Sequence, residues 1–129
     1  MLSYSVDGHI LTVHVTGASD PEQRGALLQA IRNDPAVPRG AVLLLRVEDI
    51  TETFDDAELR ARLAGLIRGL GPKLVPVCAV IGPQSYLLEG HRFQNLAGQA
   101  GLRVGLFRDE ASARTWLSGY VPEDPPEGE

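Results

Sequence analysis

Residues 41–70 read AVLLLRVEDITETFDDAELRARLAGLIRGL, and this stretch decides the fold. Its first part, residues 41–47, is an apolar run with a single arginine, which is typical of a central strand that is covered on both faces. Its last part, residues 56–70, repeats leucine and isoleucine at the spacing of one helix face. The stretch therefore predicts a buried strand, an acidic loop and an amphipathic helix. The residues on that helix face are Leu59, Leu63, Leu66, Ile67 and Leu70.

Alternating strands and helices extend from this stretch toward both ends of the chain. Residues 4–16 form two short runs that flank Asp7 and Gly8, a dipeptide suited to a two-residue hairpin turn. The order ββαβαβαβα predicts a single α/β domain whose mixed central sheet has about five strands and four helices. The remaining predicted elements are helices over 21–34, 86–100 and 110–118, and strands over 75–81 and 103–107.

Length, composition and charge fit one globular domain with a charged tail. The chain has 129 residues, of which 43% are hydrophobic and 22% are charged. Its net charge of −5 comes mostly from residues 122–129, which hold four acids and no base, so the rest of the chain is nearly neutral. A neutral body argues against nucleic-acid binding, which usually needs a basic surface. We therefore predict a domain over residues 1–120 and a disordered acidic tail over residues 121–129.

Several kinds of site are missing from the sequence. A single cysteine, Cys78, excludes an intramolecular disulfide, and no pair of the three histidines has the spacing of metal ligands. No nucleophile, phosphate-binding or dinucleotide-binding motif occurs. These observations predict a non-enzymatic protein with no catalytic residue, no metal and no cofactor.

The sequence also predicts a cytoplasmic protein. The first residues lack the basic region that opens a signal peptide. The longest uncharged stretch, residues 74–88, is too short to span a bilayer and is interrupted by Pro76 and Pro83. We therefore expect neither export nor an integral membrane segment.

The loop after the central strand is unusually rich in acids. Helix starts favour acidic residues, and the spacing of Asp55 and Glu58 resembles a capping box, but this does not account for the acids nearer the strand. Ligands of α/β sheets bind beyond the carboxyl ends of parallel strands, and the loop lies there. We therefore interpret it as a surface that binds a protein partner. The candidate partner-binding residues are Glu48, Asp49, Thr51, Glu52, Thr53, Asp55 and Asp56.

The end of the domain resembles a known family. Residues 101–117 read GLRVGLFRDEASARTWL, and this segment resembles the close of many STAS domains of the SpoIIAA-like type. The order of elements is similar as well, so the resemblance spans residues 1–120. It implies a STAS-like fold and a bacterial regulatory module that binds a protein partner. In the anti-sigma-factor antagonists of this family a phosphorylatable serine opens the helix after the central strand, and Asp56 stands at that position here.

The same resemblance implies a second use of the fold. SpoIIAA-like domains are similar to a lipid-carrying fold, which points to a carrier or sensor of a small apolar or lipid ligand. Tyr86, Leu87 and Leu88 open the third helix, and three adjacent apolar residues cannot all face one core. We interpret them as candidate residues of a ligand pocket between the third helix and the sheet. Burial under a neighbouring helix and a homodimer interface are the alternatives.

A third interpretation is an enzyme that uses the acids of residues 48–58 with a divalent metal. It predicts a melting temperature that rises when magnesium or manganese is added. The partner-binding interpretation is the leading one, because the sequence carries no catalytic motif.

Overall fold

A computed structural model of the chain describes residues 2–16, 21–48, 55–70, 74–82 and 87–120. The described residues follow the order ββαβαβαβα, so the predicted α/β class and element order are confirmed. The predicted acidic tail, residues 121–129, lies outside them. The strands are β1 (Leu2–Asp7), β2 (Ile10–Thr16), β3 (Ala41–Glu48), β4 (Leu74–Ile81) and β5 (Arg103–Phe107), and the helices are α1 (Pro21–Asn33), α2 (Asp56–Leu70), α3 (Leu87–Gln99) and α4 (Glu110–Ser118).

The described strands form one mixed sheet in the order β1-β2-β3-β4-β5. β1 and β2 form an antiparallel hairpin, and β2 to β5 run parallel. Each parallel step crosses over through a helix, and α1, α2 and α3 all pack on the same face of the sheet. α4 packs on the opposite face, against β3, β4 and β5. The fold therefore has three layers, with β3 at its centre.

Two apolar cores lie on the two faces of the sheet. Leu43 of β3 faces the larger core beneath α1, α2 and α3, whereas Val42 and Leu44 face the smaller core beneath α4. All three side chains are almost fully buried. Residues that alternate along a strand face opposite sides, so a strand covered on both sides must be apolar throughout. This explains why residues 41–47 read as a continuous apolar run.

The hairpin loop lies one residue later than the sequence predicts. Asp7 pairs with Ile10 as the last pair of the β1–β2 ladder, so the two loop residues are Gly8 and His9, not Asp7 and Gly8. Gly8 has φ of +60°, a conformation that is costly for residues with a Cβ atom. The glycine thus occupies the first of the two loop positions, and Asp7 remains in the ladder.

Capping residues mark the start of α4 and the end of α3, as the sequence predicts. Asp109 precedes α4, and its carboxylate accepts a hydrogen bond from the backbone N–H of Ser112 at 2.8 Å. Gly101 follows α3 with φ of +90°, and the next backbone N–H, of Leu102, donates to the carbonyl of Ala97 at 2.9 Å. These contacts satisfy polar groups that a helix end leaves without partners.

Candidate functional site

The predicted recognition loop lies only partly within the described structure. Glu48 ends β3, Asp55 directly precedes α2, and Asp56 is the first residue of that helix. The other predicted loop residues, Asp49, Thr51, Glu52 and Thr53, lie outside the described residues, so their role stays a prediction. The described acids do not form one cluster, because Glu48 has neighbours on the face that carries α4, whereas Asp55 and Asp56 have partners on the opposite face.

Glu48 belongs to an ion-pair network on the face that carries α4. Its carboxylate lies 3.2 Å from Nε2 of His14 and 3.7 Å from the guanidinium of Arg46. Arg46 also contacts the carboxylate of Glu110 on α4 at 3.0 Å. These side chains are about 40–50% exposed, and exposed ion pairs contribute about 0–1 kcal/mol each. Glu48 thus lies beside two basic side chains of its own chain.

The acids at the start of α2 have partners on the opposite face. The carboxylate of Asp55 accepts a hydrogen bond from the backbone N–H of Glu58 at 2.8 Å, which is the first half of the predicted capping box. The Glu58 carboxylate instead contacts Arg62 at 3.3 Å. Asp56 accepts two hydrogen bonds from the Arg92 guanidinium, at 3.0 and 3.1 Å. Asp56 thus connects α2 to α3, although it stands at the acceptor position that the family resemblance implies.

A cavity of about 540 Å³ lies between α1, α2 and the sheet. Its size falls within the roughly 300–1,000 Å³ that is typical of small-molecule pockets. The cavity lies toward the carboxyl ends of β2 and β3, the edge at which α/β sheets bind ligands. The apolar lining side chains are Leu2, Val13, Val15, Leu27, Leu28, Leu45, Ala61, Leu63, Leu66 and Phe93.

One glycine on each of the two helices lines this cavity. Gly25 of α1 and Gly65 of α2 both line it, and a Cβ atom added at either position would meet no other atom within 4 Å. Near the end of α2 the helices are in contact, because a Cβ atom at Gly69 would lie 3.3 Å from Cδ1 of Leu28. The gap between α1 and α2 is therefore wide beside Gly25 and Gly65 and closed beside Gly69.

Three charged residues line the otherwise apolar cavity. Arg24 lies on α1, and Arg62 and Glu58 lie on α2. The Arg62 side chain is 24% exposed, so most of it is withdrawn from water. The described lining thus combines an apolar wall with two guanidinium groups and one carboxylate.

The cavity differs in place from the pocket that the sequence predicts. Tyr86 lies outside the described residues, and the side chains of Leu87 and Leu88 at the start of α3 are not described, so that prediction stays untested. From α3, Phe93 lines the cavity. The α1 contribution was missed because apolar residues of a helix are ordinarily assigned to a core. The sequence feature that could have indicated the cavity is Gly65. Glycine inside a helix is about 1 kcal/mol less favourable than alanine, so its presence there often has a packing or functional cause.

Other kinds of site find little support in the described part of the chain. Within residues 2–16, 21–48, 55–70, 74–82 and 87–120, no three His, Cys, Asp or Glu side chains lie close enough together to hold a metal ion. Cys78 is fully buried in β4, and burial raises the pKa of its thiol, which keeps the thiol protonated. None of the helices in these ranges is long and apolar enough to cross a membrane.

Comparisons with protein-family models, with curated proteins and with solved structures found no match to this chain. The resemblance of residues 101–117 to STAS domains therefore stays a prediction from the sequence, and function must be argued from the site itself.

Proposed function

We propose that this protein is a non-enzymatic binding module that holds a small, mostly apolar ligand between α1 and α2. The observation that carries the proposal is the cavity of about 540 Å³, lined mainly by aliphatic side chains. Small-molecule pockets are concave and lined mainly by apolar side chains with a few polar groups, which is the composition of this lining. An apolar ligand bound there would remove the aliphatic lining from water, which is favourable.

The proposal keeps the carrier or sensor that the family resemblance implies and moves its pocket to the gap between α1 and α2. It is favoured over binding of a protein partner because described acids of the predicted loop have partners within the chain. Glu48 lies 3.7 Å from the guanidinium of Arg46, and Asp56 accepts hydrogen bonds from Arg92. The STAS-like fold, the cytoplasmic location and the regulatory role belong to the same proposal and rest on the sequence.

Filling the cavity with a side chain tests this function. Gly65→Leu places a branched side chain where an added Cβ atom meets no other atom. Gly98→Leu is the matched control, since Gly98 is an exposed glycine of α3 that also has open space at its Cβ position and does not line the cavity. Leucine has a higher helix propensity than glycine, so neither substitution should unfold the protein.

Native mass spectrometry of the purified proteins supplies the measurement. We expect the wild-type protein to carry a non-covalent adduct that is lost on denaturation, or to bind added 1-decanol. Gly65→Leu should carry no such adduct and should not bind 1-decanol. Gly98→Leu should behave as the wild type. The proposal is wrong if the wild-type protein binds no apolar molecule, or if Gly65→Leu binds as well as Gly98→Leu.

A further inference from the structure

We infer that the β1 edge of the sheet pairs with the β1 edge of a second copy of this chain, which joins the two sheets into one. The two strands run antiparallel about a two-fold axis at Tyr4. β1 stands first in the sheet order and pairs with β2. Within the described residues its outer side has no strand beside it, and such an edge is a template for another strand.

The hydrogen bonds of the sheet show which backbone groups of β1 point outward. The carbonyl of His9 accepts a hydrogen bond from the N–H of Val42, so odd-numbered residues of β2 bond toward β3 and even-numbered ones toward β1. The even-numbered residues of β2 stand opposite the odd-numbered residues of β1. The N–H and C=O groups of Leu2, Tyr4 and Val6 therefore point away from the sheet.

The two edges of the sheet differ in their protection against pairing. Natural edge strands carry charges, prolines or bulges, or side chains and other elements cover them. β5 begins with Arg103, and the carbonyl of Val104 accepts a hydrogen bond from the side-chain amide of Gln94 at 2.8 Å. Residues 2–6 of β1 contain no charge, proline or glycine, and the strand pairs with β2 in unbroken register. β1 is therefore the edge that is suited to pairing.

An axis at Tyr4 matches the backbone and the side chains at once. It places Leu2 opposite Val6 of the second copy, so outward groups meet outward groups and form about six hydrogen bonds. These apolar side chains lie on the face that carries α1, and Ser3 lies opposite Ser5 of the second copy on the other face. Cross-strand pairs of both kinds stabilise a sheet. An axis at Ser3 or Ser5 would instead bring together backbone groups that already bond to β2.

The charge of β1 is compatible with this register. Asp7 is the charged residue of the strand, and its carboxylate contacts Arg114 of its own chain at 3.1 Å. In the paired strands the two Asp7 residues lie at opposite ends, about 20 Å apart at a rise of about 3.4 Å per residue. Like charges therefore do not face each other.

Charged residues at positions 3 and 5 test the pairing. Opposed residues that share no backbone hydrogen bond have the closest side chains, and Ser3 and Ser5 of the second copy form such a pair. Ser3→Lys with Ser5→Lys places like charges opposite each other. Ser3→Glu with Ser5→Lys is the matched control, because it places opposite charges at the same positions. Both serines are exposed, so each variant should fold.

Light scattering after size-exclusion chromatography measures the mass. We expect the wild-type protein and the opposite-charge variant to have about twice the 13.9 kDa of one chain. The like-charge variant should dissociate, with a dimer dissociation constant raised at least about tenfold. Hydrogen exchange followed by NMR locates the contact: the outward amides of Tyr4 and Val6 should exchange about tenfold faster in the like-charge variant. The amide of Asp7 bonds to β2 and should stay protected, which shows that this variant is folded.

The outcomes also separate this inference from the proposed function. The inference is wrong if the wild-type protein has the mass of one chain, if the like-charge variant stays a dimer, or if both variants are monomers. Ser3 and Ser5 face the side of the sheet opposite to the cavity, so binding of 1-decanol should be the same in all three proteins.

Discussion

Three helix glycines give a direct test of the gap between α1 and α2. A methyl group at Gly65 would lie in the open cavity, and one at Gly98 would lie in open space outside it. A methyl group at Gly69 would lie 3.3 Å from the Leu28 side chain. Replacing each by alanine therefore varies the surroundings while the chemical change stays the same.

The expected changes in stability follow from those surroundings. Alanine is about 1 kcal/mol more favourable than glycine inside a helix. A methyl group at Gly65 or at Gly98 meets no atom within 4 Å that would oppose this gain, so Gly65→Ala and Gly98→Ala should each raise the free energy of unfolding by up to about 1 kcal/mol. At Gly69 the same gain is offset because Leu28 must move, and crowding of this kind costs about 1–3 kcal/mol. Gly69→Ala should be neutral or destabilising.

Urea titration followed by circular dichroism measures these differences. The proteins should first be unfolded and refolded, which removes any bound molecule that would itself add stability. For a domain of this size, 1 kcal/mol corresponds to about 3–6 °C in melting temperature, which gives a second readout. Destabilisation by Gly65→Ala, or an equal gain at Gly65 and Gly69, would refute the gap between the helices and with it the cavity.

Three single side chains give further tests. Leu117→Ala removes a fully buried side chain of α4 and should lower the free energy of unfolding by about 2–5 kcal/mol in urea, with 1-decanol binding on the other face little changed. Hydrogen bonds from Ser112 lower the pKa of Asp109, so its stabilising effect is present above the usual pKa of about 3.9 and is lost as pH falls through the lowered value. Asp109→Asn should therefore make the melting temperature less dependent on pH below about 4. Cys78, whose thiol pKa is raised by burial, should resist iodoacetamide until urea unfolds the protein, as mass spectrometry of the alkylated product would show.

Much of the fold could be predicted because the spacing of apolar residues and the capping residues identify its strands and helices locally. The apolar run of residues 41–47 identifies a strand covered on both faces, and the period of apolar residues in 56–70 identifies α2 with the bounds it has in the structure. Asp109 marks the start of α4 because a carboxylate before a helix has a specific backbone partner. The hairpin loop was placed one residue early because Asp7 and Gly8 both suit turns, and only the pairing of Asp7 with Ile10 decides between them.

The site was harder to predict because it depends on distances between elements. Asp56 and Arg92 are 36 residues apart in the chain, and nothing near either residue shows that they pair. The cavity depends on the distance between α1 and α2, which are close near Gly69 and Leu28 and have open space between them near Gly65. A helical wheel of α1 or α2 shows an apolar face, but it does not show whether that face packs against another element or lines a cavity.

The position of α4 has a consequence for how the protein folds during synthesis. Val42, Leu44, Val77 and Ala79 of the central strands are covered from one side by Ala113 and Leu117, which are translated last among them. The sheet can therefore gain α1, α2 and α3 as the chain emerges from the ribosome while its second face stays bare. Until residue 117 has emerged, the nascent chain exposes two of its most apolar strands, which favours aggregation and recruits chaperones. A ribosome stalled before α4 should carry a chain that binds chaperones strongly, and one stalled well beyond it should not.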